Sequence, residues 1–116
     1  MENKCDLKRR TKEYALRIIR LVKSLPKGME SRAIGNQLIR SGTSVGANYR
    51  AVCRARSKAE FISKLGVVIE EADESAFWIE ILIEAKIVKI ELVEPLLKET
   101  NEIIAIMVSS KKSASN

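Results

Sequence analysis

Two long series of apolar and small residues, each stepping alternately by four and three, constrain this chain more than any other feature. Ile34, Leu38, Ser41, Val45, Asn48, Val52 and Ala55 form the first; Phe61, Leu65, Val68, Ala72, Ser75, Ile79 and Leu82 form the second. An α-helix returns such residues to one face, because positions three and four apart lie one turn along the same side, whereas a strand buries alternate residues. Before them, Tyr14, Ile18, Leu21, Val22 and Leu25 recur at helical spacing, with Arg17, Arg20 and Lys23 off the stripe. This predicts an amphipathic helix from about Lys8 to Ser24, ended by Leu25-Pro26-Lys27-Gly28, since the residue before a proline is pushed out of helical geometry.

The first of the two series contains a conflict. Ser41-Gly42-Thr43-Ser44-Val45-Gly46-Ala47-Asn48 has the composition of a loop, and local propensity alone would give two short helices around it. The unbroken period favours one long helix from Ser31 to about Arg56. Gly35, Gly42 and Gly46 then share a neighbouring face, where another backbone can come close at a cost of about 1 kcal/mol of helix propensity per glycine. Asn48 falls on the inner face, where a buried amide must find partners and so fixes register.

Ser57-Lys58-Ala59-Glu60 fits a capping box and opens a third helix expected to reach about Ile87. Val93, Leu96, Leu97, Ile103, Ile104 and Met107 predict a fourth from about Glu91 to Ser110, provided Pro95 lies in its first turn. Lys111 to Asn116 reads as a frayed polar tail. The expected architecture is all-α: residues 1–110 as one up-down-up-down four-helix bundle.

With 116 residues there is one core, and the absence of His removes imidazole as base, proton shuttle or metal ligand. Glu70 and Glu74 share a helix face, but di-iron bundles need Glu-x-x-His motifs, so Glu70-Glu71-Ala72-Asp73-Glu74 reads as a salt-bridged structural cluster, with no metal and no cofactor. Ser41 to Ser44 reads as packing atoms, since no spacing joins a nucleophile to a Lys base, and Trp78 as core or a subunit contact. The expectation is a non-enzyme. Cys5 and Cys53 are too few for a framework and read as reduced thiols. The longest stretch free of charge is nine residues, Ser41 to Tyr49, which excludes a spanning helix, and the N-terminus runs into Lys8-Arg9-Arg10 without a secretory signal. No membrane partner and a cytoplasmic location follow as expectations.

Charge is divided unevenly: residues 1–56 hold 14 basic and 4 acidic side chains, residues 57–116 hold 7 and 11, and the whole chain is net +6. This predicts a basic face on the first two helices, made by Lys8, Arg9, Arg10, Lys12, Arg17, Arg20, Arg50, Arg54 and Arg56, with Lys58 beside it. Phosphate is its natural partner, and RNA or DNA the natural ligand. A competing use of the same charge is internal, with Arg50 and Arg54 paired to Glu70, Glu71, Asp73 or Glu74.

Arg40-Ser41-Gly42-Thr43-Ser44-Val45-Gly46-Ala47-Asn48-Tyr49-Arg50-Ala51, Arg54-Ala55-Arg56-Ser57-Lys58-Ala59-Glu60-Phe61, Glu70 to Glu74 and Trp78 together resemble the bacterial four-helix-bundle family of the 23S rRNA intervening-sequence protein. The resemblance extends from about Tyr14 to Met107. It implies a continuous second helix and self-assembly into a homo-oligomer, with five-fold rings in the wider group. That group also includes accessory proteins of retroelements, which implies nucleic acid or a nucleic-acid-processing protein as partner. A protein-interaction scaffold without direct nucleic-acid contact is the alternative reading. The resemblance brings no enzymatic activity and no established binding residue.

Overall fold

The computed structural model describes residues 3–116. Met1 and Glu2, which begin the N-terminal stretch read as lacking a secretory signal, lie outside the described residues. Four α-helices follow one another: α1 (Lys4–Lys23), α2 (Met29–Cys53), α3 (Lys58–Glu84) and α4 (Ile90–Ser115), with no strand among the described residues. Consecutive helices pack antiparallel in a rod of 45 × 21 × 20 Å. A helix of 25 residues is about 37 Å long, so each spans most of the rod.

The helix ends follow from local chemistry. Asn3 caps α1, its side chain accepting from the Asp6 amide at 2.9 Å, which starts the helix four residues before the expected Lys8. Ser57 accepts from the Glu60 amide at 3.0 Å and starts α3 as the capping box predicts. α3 stops at Glu84, where Ile87 donates to the Leu82 carbonyl and Lys86 to the Ile83 carbonyl, both at 3.0 Å. That is a Schellman closure with Lys86, at φ 60°, in the left-handed position usually given to glycine.

Three expectations are corrected. Pro95 lies in the second turn of α4, not the first; the Glu91 carbonyl it leaves without an amide is on an exposed residue and can be solvated. α4 also continues to Ser115, through the stretch expected to fray. α2 is a single helix, but its buried residues are Ser31, Gly35, Leu38, Ser41, Gly42, Val45, Tyr49 and Val52, so the inner face is rotated toward the glycines and away from Ile34 and Asn48.

The rotation has a steric cause. A Cβ on Gly42 would lie 2.7 Å from Ile18 Cγ1, and one on Gly46 would lie 3.1 Å from the Thr11 carbonyl oxygen. A side chain at either position would hold α1 away. Gly35 faces Val22 and Leu25 on the same seam. Around this seam Tyr14, Ile18, Leu38, Val45, Leu65 and Ile79 form the centre of a core that α4 completes with Val93, Ile103 and Met107.

Hydroxyls from all four helices meet inside that core. The Tyr14 hydroxyl and Thr100 Oγ1 share a hydrogen bond of 2.6 Å, and Ser75 Oγ donates to Ser41 Oγ at 2.9 Å. Ser75 also lies within reach of the Tyr14 hydroxyl. Burial pushes the Tyr14 phenol up to about 12. This layer, rather than Asn48, carries the buried polar register. The Asn48 amide is half-buried and donates to the Ser44 carbonyl of its own helix at 2.8 Å.

Candidate nucleic-acid interface

The close approach of Gly46 to Thr11 and Lys12 fixes the level of α1 against α2. One turn onward on α2 stands Arg50; one turn back on α1 stands Lys8. In antiparallel helices these shifts run the same way, so Lys8, Lys12, Arg50 and then Arg54 flank one seam and are all exposed. Arg54 caps the end of α2, Arg56 sits in the short connection, and Lys58 is the first residue of α3. At the same end Lys4 Nζ lies 5.5 Å from the centroid of the Phe61 ring, and Lys111 Nζ approaches Gly66.

The basic residues therefore gather at an end of the rod rather than along one face. Residues 3–13, 41–71 and 103–116, which build this end, carry 12 basic and 5 acidic side chains, net +7. Residues 14–40 and 72–102, which build the other, carry nine of each and are neutral. Lys8, Lys12, Arg50, Arg54, Arg56 and Lys58 make no ion pair among the described residues. Such cations keep their hydration and can exchange it for phosphate oxygens.

The remaining predicted members go elsewhere. Arg10 turns toward α4, where Nε and Nη2 each donate to a Glu99 carboxylate oxygen at 2.7 Å, and Nη2 also reaches Glu102 at 3.1 Å. Arg9 pairs with Asp6 on its own helix at 3.1 Å. Arg17 and Arg20 line a groove between α1 and α4 at the neutral end, over Leu21, Val93 and Leu96.

The carboxylates of α3 meet an arginine that charge counting had not singled out. Arg40, rather than Arg50 or Arg54, bridges Glu71 and Glu74. Its guanidinium, joined by the Trp78 indole N–H at 3.1 Å, holds the Glu74 carboxyl below the ordinary range. Trp78 is half-buried and packs edge-on against Phe77 beside the core. The spacing of Glu71 and Glu74, one turn apart, was the available sequence signal for a bridging arginine. No cluster of three or more His, Cys, Asp or Glu side chains is placed to hold a metal among the described residues. No helix among them is long and apolar enough to cross a membrane.

The fold has a counterpart among known proteins. The sequence profile of the 23S rRNA-intervening sequence protein family matches residues 3–109. The chain belongs to that family. A crystal structure of a protein with unknown function from the S23 ribosomal protein family, from Bacteroides thetaiotaomicron VPI-5482, superposes on it with a TM-score of 0.87. The two sequences are 35% identical, and the match covers 94% of this chain and 97% of the other. No curated protein matches the sequence.

Proposed function

We propose that the protein is a non-enzymatic, self-associating helical bundle that binds RNA through its basic end. The observation that carries this reading is the concentration of net +7 at one end, with all of its cations but Arg9 and Arg10 outside any ion pair among the described residues. Two helix termini and a short connection present Arg50, Arg54, Arg56 and Lys58 as a fork that the phosphates of a folded strand can follow. The choice of RNA over DNA is supported by the family, which is described by an intervening sequence of 23S rRNA. Sequence readout is not part of the proposal, because recognition of single-stranded bases relies on stacking and the chain has only 4% aromatic residues. Self-association multiplies the effect, since each copy contributes a basic end and weak interactions sum through effective concentration.

Fluorescence anisotropy with a labelled RNA hairpin tests the reading. Neutralising about six phosphates predicts an affinity that falls about a thousandfold between roughly 50 and 200 mM salt, with weaker binding of the matching DNA. Absence of binding at the lower salt would remove the proposal and leave a protein partner for the basic end.

A further inference from the structure

Arg9, Leu16 and Lys23 lie seven residues apart on α1; Glu70, Phe77 and Glu84 lie seven apart on α3. That spacing puts each trio on one stripe of its helix. Both stripes face solvent, with Leu16 47% and Phe77 50% exposed. Each is a large apolar side chain between two like charges, and the sign is opposite on the two helices. Arg20 adds a cation to the α1 stripe, which also carries the carboxylates of Asp6 and Glu13, and Asp73 and Glu80 add anions to the α3 stripe.

Neither stripe is satisfied within the molecule. Glu70, Asp73, Glu80 and Glu84 form no ion pair among the described residues, nor does Lys23, and Arg9 holds only the exposed Asp6, a weak tie. The Phe77 ring is set edge-on by Trp78 at 5.0 Å, so it loses little freedom on docking. α1 and α3 sit at opposite corners of the bundle and make no close backbone approach, so the stripes of one copy cannot meet each other.

We infer that the α3 stripe of one copy docks on the α1 stripe of a second copy, Phe77 against Leu16, with Glu70 and Glu84 facing Arg9 and Lys23. The interface joins two different surfaces, so every added copy leaves one of each unfilled. Assembly continues until it closes as a ring or extends as a filament. This rests on the self-association in the proposed function, deepens it, and uses none of Lys8, Lys12, Arg50, Arg54, Arg56 or Lys58.

Light scattering on the full chain tests it with two exposed charge reversals, Glu70→Lys with Glu84→Lys, and Arg9→Glu with Lys23→Glu. Circular dichroism checks that both variants keep the wild-type helicity. The wild type is expected to be an oligomer, each variant alone a monomer, and an equal mixture an oligomer again, because one variant then offers two basic stripes and the other two acidic ones. A monomeric wild type, variants that retain the wild-type mass, or a mixture that stays monomeric would each overturn the inference. RNA binding, read separately by anisotropy on the wild type, reports on the other half of the functional reading.

Discussion

Against α2, the backbone of α1 comes so close at Gly46 that an added Cβ would stand 3.1 Å from the Thr11 carbonyl oxygen; against α4, the helices keep apart and meet through Tyr14 on Thr100 and Arg10 on Glu99. The difference decides what happens to the cations of α1. In the close seam backbone packing fills the space, and Lys8 and Lys12 are left outside it. In the wide seam a long side chain must cross, and Arg10 is held between two carboxylates of α4. Chemically similar residues two positions apart are thus either available to a ligand or committed to the fold.

The largest effect is expected of Gly42→Leu. Its Cβ alone would meet Ile18 at 2.7 Å, and Ile18 is fully buried with nowhere to move. A loss of about 3 kcal/mol or more is expected, a large share of the roughly 5–15 kcal/mol of an ordinary domain, so the urea midpoint should fall steeply; a native-like midpoint would show that the seam is looser than described. Next is Arg10→Ala, which leaves Glu99 largely buried without its partner. It is expected to cost about 2 kcal/mol in urea titration, with RNA affinity little changed.

Tyr14→Phe removes one hydrogen bond of the inner layer and is expected to cost about 1 kcal/mol. The same tyrosine predicts an alkaline limit. Its phenol ionises near 10 when unfolded and only about 12 when folded, so the unfolded chain loses its proton first and stability falls as pH rises from 10 toward 12. Tyr49, raised by burial, acts in the same direction. Midpoints followed from pH 9 to 11 should fall less steeply in Tyr14→Phe. The smallest effect on stability is expected for Arg50→Ala with Arg54→Ala, within about 0.5 kcal/mol, because neither side chain is paired within the fold.

Much of the bundle was legible because helical periodicity is a local property. The α3 series from Leu65 to Leu82 is buried as its spacing predicts, whereas the hydroxyl layer was missed: Ser41 and Ser75 stand at core positions of the two series, but Ser41 read as a packing residue. Asn48 belonged to the same α2 series yet stayed half-buried, because the glycine seam rotated the helix by part of a turn. No rule of spacing within one helix anticipates that, since it depends on the surface of the neighbour. The candidate site was legible as an excess of charge and illegible as a place. Arg10 and Lys12 look alike in sequence, and only the distance from α1 to α4 separates them. The gathering of charge at one end arises where the start of α1, the end of α2, the start of α3 and the end of α4 coincide.

In the proposed function the position of the charge, and not its total, makes the interface. Two double variants remove the same charge from opposite ends: Arg50→Ala with Arg54→Ala at the basic end, and Arg17→Ala with Arg20→Ala at the neutral end. Anisotropy titration of each against the same RNA hairpin over a range of salt is the direct measurement. The first pair should weaken binding and flatten the plot of log affinity against log salt by about two units, one for each phosphate no longer neutralised, while the second leaves the slope near that of the wild type. Equal losses from the two pairs would contradict the account.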